Sequence, residues 1–255
     1  GIIGYGNIGK QLSVLAEAAG MRVIYYDLDE KLALGNANKC SSLKELLIKS
    51  DAVSLHVDGR VENEGFFGKE HFSYMKPGAV FLNLSRGKVV NLEALVDALR
   101  TQKLRGAAVD VFPAEPKSND EKFASALLEF PNVILTPHIG GSTQEAQENI
   151  GQFVPGRFTQ YINTGSTTGS VNFPEIQLPE LQNAHRLIHI HRNVPGVMSK
   201  MNSVMAEHDV NIVGQYLKTN EDIGYVITDI NKAYDEDLLN ALKDIEHTIK
   251  FRVLY

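Results

Sequence analysis

Short apolar runs alternate with amphipathic stretches from Gly1 to His138, and each run ends in a glycine, a proline or a polar residue. Ile2 and Ile3 predict a strand that enters the turn Gly4-x-Gly6-x-x-Gly9, and Ile8 to Ala19 predicts the helix that leaves it. Further strands are expected at Met21–Tyr26, Ala52–Val57, Ala79–Leu84, Ala107–Val111 and Val133–Leu135. Between them, Ser42-x-x-Glu45 reads as a capping box opening a short helix to Lys49. A helix near Lys69–Met75 should stop at Pro77-Gly78, and Asn91 should cap one with Leu92, Leu95, Val96 and Leu99 on a single face. Strands that are apolar throughout and separated by helices predict a parallel sheet with helices on both faces. The opening strand is too short to be typical and no methionine precedes it, so we expect a piece of a longer protein.

A long helical pattern runs from Ser142 to about Tyr161, and Pro155 inside it should kink or split the helix. Asn163 to about Glu180, rich in Thr, Gly, Ser and Pro, reads as a linker. The order then changes. Strands at Arg186–His191, Asn211–Lys218, Tyr225–Ile230 and Thr248–Leu254, with helices at Pro195–Glu207 and Asp235–Asp244, spell βαββαβ, a ferredoxin-like unit. The fold class is therefore α/β: a Rossmann-type doubly wound parallel sheet followed by a ferredoxin-like domain. The expected divisions fall at residues 1–141, 142–180 and 181–255.

The 255 residues suffice for two modest domains, each with its own core. A formal charge of −6 argues against nucleic acid or an anionic membrane as partner. The single cysteine, Cys40, excludes internal disulfides and cysteine-rich metal sites, and fits a reducing, cytoplasmic setting.

Chemistry gathers at the strand ends. In open parallel sheets ligands bind beyond the carboxyl ends of the strands. Those ends carry Gly4 to Gly9, Asp27, His56, Ser85-Arg86, Asp110 and His138 in turn. Gly4 permits the turn, Gly6 admits a pyrophosphate, Gly9 lets the helix pack, and the helix N-terminus offers free N–H groups. Asp27 suits an adenosine ribose and would repel a 2′-phosphate, which favours NAD over NADP. Arg86 is suited to grip a carboxylate, although a solvated turn arginine would look the same. Asp110 needs a partner or ligand if buried. Glu115 and His138 are a loop carboxylate and a loop imidazole, each inert if taken alone, and His56 reads as packing.

Together, Gly4-Tyr-Gly-Asn-Ile-Gly9, Ser85-Arg-Gly87, Val109-Asp-Val-Phe-Pro-Ala-Glu-Pro116 and Thr136-Pro-His-Ile-Gly-Gly-Ser-Thr-Gln-Glu-Ala146 resemble the D-isomer-specific 2-hydroxyacid dehydrogenases. His189-Ile-His-Arg-Asn-Val-Pro-Gly196 is similar to the C-terminal ACT domain that some members carry. The resemblance implies an NAD-dependent oxidoreductase acting on 3-phospho-D-glycerate, inhibited by L-serine and assembled as a homotetramer. It implies that Arg86 holds the substrate carboxylate, His138 is the acid–base group and Glu115 its partner. Gly4, Gly6, Asn7, Ile8, Gly9, Asp27, Leu84, Ser85, Arg86, Asp110, His138, Ile139, Gly140 and Gly141 would line the cofactor pocket, and no metal is implied. His191, Asn193 and Asn211 would hold serine across a subunit interface, with Pro195 early in the following helix leaving N–H groups free. Two other readings are another D-2-hydroxyacid dehydrogenase, such as one acting on 2-oxoglutarate, and a non-catalytic NAD-sensing module. The loop Asp58–Gly65 lacks the proline and threonines usual in the family.

Overall fold

The computed structural model describes every residue except Lys117, Asn119, Gln182, Asn183, Lys232 and Tyr255. The chain divides into two compact units, Gly1–Gly141 and Ser142–Tyr255.

In the first unit, strands β1 (Ile2–Ile3), β2 (Ile24–Tyr26), β3 (Asn38–Lys39), β4 (Ala52–Leu55), β5 (Ala79–Asn83), β6 (Leu104–Val109) and β7 (Val133–Leu135) form one sheet in the order β3-β2-β1-β4-β5-β6-β7. Every neighbouring pair is parallel. Helices α1 (Asn7–Ala18), α2 (Leu43–Lys49), α3 (Lys69–Tyr74) and α4 (Leu92–Arg100) connect them. Strand alternation sends Ile3, Val53, Leu55, Phe81, Ala107 and Val109 into one core with Leu46, Leu47, Phe72, Leu95 and Leu99. Ile2, Tyr5, Val23 and Tyr25 point the other way, against Leu12 and Ala16 of α1.

Two differences from the sequence pattern concern strands. β2 begins at Ile24 rather than Met21, because Met21 and Arg22 are exposed. The edge strand β3 was not expected: Asn38-Lys39 has no apolar signature, and only main-chain pairing with Ile24 and Tyr25 defines it.

The second unit begins with α5 (Gln144–Thr164), followed by β8 (His185–Arg192), α6 (Val197–Glu207), β9 (Ile212–Thr219), β10 (Ile223–Ile230), α7 (Glu236–Lys243) and β11 (Thr248–Val253). The antiparallel sheet runs β11-β8-β10-β9, the expected ferredoxin-like order. One face packs Leu187, Val226 and Ile230 against Met201, Met205, Leu238 and Leu242 of the two helices.

The opposite face corrects the reading of 163–180 as a plain linker. Ile188, Ile190, Tyr225 and Ile227 are covered by Ile176, Phe173 and Leu178, so this segment is part of the core. Its backbone folds back through Thr167, whose N–H donates to Ile176 O at 2.8 Å and whose Oγ1 donates to Pro174 O at 2.6 Å. Arg186 pins it down, donating from Nη1 to Thr164 O and Pro179 O at 3.0 and 2.9 Å.

Pro155 does not split α5. The helix continues through it to Thr164 and closes on Gly165 in the left-handed conformation, φ 74°. Proline there removes the bond to the Gly151 carbonyl and crowds it; with glycine at 151 and 156 the neighbouring turn carries no Cβ to add to that crowding. α6 starts at Val197, with Gly196 as its N-cap at φ 95°, so Pro195 precedes the helix rather than opening it. Among the described residues no helix is long and apolar enough to cross a membrane.

Candidate active site

One register row organises the first unit. Tyr26, Ile3, Leu55, Asn83, Val109 and Leu135 are aligned partners across β2, β1, β4, β5, β6 and β7. The next residue on four of these strands extends the ladder. Gly4 N donates to Tyr26 O at 2.9 Å, His56 N to Ile3 O at 2.7 Å, Asp110 N to Asn83 O at 3.0 Å and Thr136 N to Val109 O at 3.1 Å. The polar residues singled out in the sequence lie on or just past this edge, because the apolar strands end together.

The three glycines of the first turn have separate physical roles. Gly4 sits at φ 88°, and a Cβ there would lie 2.6 Å from His56 O. A Cβ on Gly9 would lie 2.3 Å from Gly4 O, so a side chain would push α1 off the turn. Gly6 meets nothing within 4 Å. It is the open one, at the N-terminus of a helix that no side chain caps, with Asn7 and Ile8 exposed beside it. Free N–H groups, open space and a helix N-terminus fit a pyrophosphate. Asp27, at the end of β2, accepts from Tyr5 N at 2.6 Å and Asp29 N at 3.0 Å, which ties the second strand end to the glycine turn. The residues present therefore fit a dinucleotide.

On the other half of the edge stand a histidine and a carboxylate. His138 Nδ1 lies 2.9 Å from Glu115 Oε2, with both side chains more than a third exposed. Glu115 is fixed from behind by Phe112 N, 2.9 Å from Oε1. Burial pushes the Glu115 carboxyl up, but the Phe112 N–H and the His138 imidazole outweigh it and leave the group below the usual range. His138 itself has φ 53°, a left-handed backbone that β-carbon residues rarely adopt. Such strain persists only where the surroundings over-determine it.

Arg86 is held differently. Buried Asn83 accepts from Ser85 N and Oγ and donates to Arg86 O, which shapes the turn after β5. Ser85 is therefore turned inward, whereas Leu84 is exposed. The arginine stem lies against Gly59, where a Cβ would come within 2.9 Å of Arg86 Cγ. Gly87 touches the loop that carries Glu115: its added Cβ would sit 2.0 Å from Phe112 C. This contact couples the arginine turn to the Glu115 loop. Gly87→Ala should thus disturb both; we expect kcat/KM of the full-length protein to fall by roughly 10²-fold with the far-ultraviolet spectrum unchanged, the cost of displacements near 1 Å.

Asn83, Gly59 and Thr136 are site residues that the sequence reading passed over. Asn83 had one visible signal, an amide ending an apolar strand. His56 donates or accepts through Nε2 to Ser54 Oγ at 2.8 Å, and burial lowers its pKa, in keeping with a packing role. Ile139, Gly140 and Gly141 are exposed beyond His138.

In the second unit His191 is buried, with Nδ1 2.7 Å from Arg192 O and its ring against Gly224. Its neighbour His189 is held down to about 4 by burial and by His191. Asn193 is exposed and donates to Asn220 O at 2.7 Å. The register puts Asn211, just before β9, at the opposite end of the sheet from His191 and Asn193.

A doubly wound sheet with a glycine turn at one strand end and a histidine–carboxylate pair farther along the same edge defines a dinucleotide-binding domain of the dehydrogenase class. Residues 1–140 match the family described as "D-isomer specific 2-hydroxyacid dehydrogenase, NAD binding domain", and residues 187–250 match the "AHAS small subunit-like ACT domain". The chain belongs to the D-isomer specific 2-hydroxyacid dehydrogenases, and its first unit is their NAD-binding domain.

Over its whole length it is 52% identical to a D-3-phosphoglycerate dehydrogenase of Haemophilus influenzae and 49% identical to one of Dictyostelium discoideum. It spans 62% of the length of each. Among solved structures, D-lactate dehydrogenase from Aquifex aeolicus, complexed with NAD and lactic acid, superposes with a TM-score of 0.54 at 33% identity, over 63% of this chain and 52% of that one. The holo form of Rhodotorula graminis D-mandelate dehydrogenase gives 0.55 at 30% identity, over 63% and 46%.

Proposed function

We propose that this chain is the nucleotide-binding and regulatory part of an enzyme that oxidises 3-phospho-D-glycerate to 3-phosphonooxypyruvate with NAD, and that L-serine inhibits it. The observation that carries the reading is the His138–Glu115 pair on the same sheet edge as the glycine turn. With Nδ1 committed to Glu115, His138 Nε2 is the nitrogen left to take the substrate hydroxyl proton. Arg86 holds the substrate carboxylate in a two-pronged grip and so presents one face of the carbon. NAD, when bound, accepts the hydride from that carbon. Asp27, Leu84, Asp110 and Ile139 to Gly141 complete its pocket.

We assign residues 1–141 to cofactor binding, 142–180 to the return from the substrate domain and 181–255 to regulation, in a cytoplasmic homotetramer. Serine would lie between two ACT sheets, touching His191 and Asn193 of one copy and Asn211 of another. The register supports that division, since a single chain keeps these residues at opposite ends of its sheet.

The test is an assay of the full-length protein with 3-phosphoglycerate and NAD, with and without L-serine. NADH formation that serine suppresses is the expected result. Asn193→Ala should weaken inhibition by about tenfold or more at nearly unchanged rate, the loss of a hydrogen bond to a charged group. Turnover with a different 2-hydroxy acid alone, or none with any, overturns the substrate; inhibition unaltered in the variant overturns the effector site.

A further inference from the structure

We infer that Thr136 is a positioning residue for the acid–base histidine, acting through Asp110; the inference rests on the catalytic reading of His138 given above. Asp110 Oδ1 accepts two hydrogen bonds, from Thr136 Oγ1 at 2.5 Å and from His138 N at 3.1 Å. One carboxylate oxygen therefore clamps both ends of the tripeptide Thr136-Pro137-His138. The middle residue is rigid: proline fixes its own φ, restricts Thr136 to extended backbone and offers no N–H. Thr136 is also anchored by its main chain, donating to Val109 O at 3.1 Å as the ladder's last rung.

The clamp is where the strain at His138 is held. Its φ of 53° is retained by two bonds, from its N–H to Asp110 and from its ring to Glu115. The Asp110 carboxylate pivots on its own side-chain torsions. The Thr136 hydroxyl, fixed to the strand, selects the rotamer in which Oδ1 faces the His138 N–H. Without that hydroxyl the carboxylate is free to turn, the histidine backbone can relax toward negative φ, and the imidazole leaves the position set by Glu115. The two groups hydrogen-bonded to Asp110 Oδ1 are neutral, a hydroxyl and a main-chain amide, while the Glu115 carboxylate lies close enough to repel it. A valine at 136 keeps the shape and removes only the donor.

The experiment compares Thr136→Val and Thr136→Ser in the full-length protein. Thr136→Val should lower kcat by about 10- to 100-fold with KM for the hydroxy acid and NADH affinity within about threefold of the parent, the signature of a misplaced catalytic group. Thr136→Ser, which restores the donor, should recover kcat to within about threefold. Hydrogen exchange at the His138 amide, read by nuclear magnetic resonance without substrate, should quicken in the valine variant and not in the serine variant. A valine variant with parental kcat, or a serine variant as impaired as valine, overturns the inference. If the parent oxidises no hydroxy acid, the function proposed above fails, and the exchange measurement still decides the clamp: equal exchange in all three proteins sinks it.

Discussion

Replacing His138 with alanine should lower kcat by at least about 10²-fold while leaving NADH binding within about twofold of the parent, because the variant loses the group proposed as general base and leaves the glycine turn untouched. The imidazole is oriented through one nitrogen: Nδ1 is spent on Glu115, and Glu115 is itself held by Phe112 N. Alanine inherits the left-handed backbone at φ 53°, so its folding cost resembles that of histidine. Glycine at 138 would relieve the strain, of order 1 kcal/mol or more, and should be at least as stable as the parent yet equally inactive. Parental turnover in either variant would remove His138 from the chemistry. Loss of NADH binding in step with kcat would show that the residue holds the cofactor instead.

A second large effect is expected far from the catalytic edge. Asp229→Ala should destabilise the second unit by about 3–5 kcal/mol in urea unfolding, because it strands a guanidinium inside the protein. The Arg186 side chain is 2% exposed and that of Asp229 6%. The two meet in a fork, Nε to Oδ1 at 2.7 Å and Nη2 to Oδ2 at 2.8 Å. The remaining donor holds the carbonyls of Thr164 and Pro179, so the ion pair joins the sheet to both ends of the segment that covers it. Removing the acid takes away the carboxylate that faces the buried guanidinium. The double replacement Arg186→Met with Asp229→Leu removes the charge problem but orphans those carbonyls, and should cost less than Asp229→Ala alone. A loss below about 1 kcal/mol for Asp229→Ala would mean that water reaches the pair after folding relaxes.

What the sequence made legible was what depends on short spacing. The glycine turn and the βαββαβ order follow from periodicity and a few obligatory backbone conformations, and the structure places both as expected. The strands expected to end at Val57, Leu84 and Val111 end at Leu55, Asn83 and Val109. The histidine and carboxylate proposed for acid–base work could be named only from the resemblance of their motifs to a family. Their meeting could not be read from spacing, since Glu115 and His138 lie on the loops after different strands. The misses have a common cause in long-range pairing. Asn38-Lys39 is a strand only because Ile24 and Tyr25 lie beside it. The polar run through Ser166 and Thr167 looks like solvent-exposed linker, yet the hydroxyls of these two residues are satisfied internally and the few apolar residues of the segment close a core. Nothing local to Arg186 announces its buried partner 43 residues away. Thr136 and Asn83 have the composition of turn residues, and only the geometry shows them holding other side chains in place.

The shared last row of the sheet sets what kinds of change this chain can tolerate. Each edge residue is placed by counting from a fixed rung, and one residue more or fewer within a strand would turn its terminal side chain to the opposite face and move it by about 3.3 Å. Deletions inside β4, β5 or β6 should therefore be lethal to the chemistry even where the core could refill. A stretch between strands such as 28–36 carries no such count and can change length. Diversification within this architecture is thus channelled into loop length and loop chemistry, with strand length frozen.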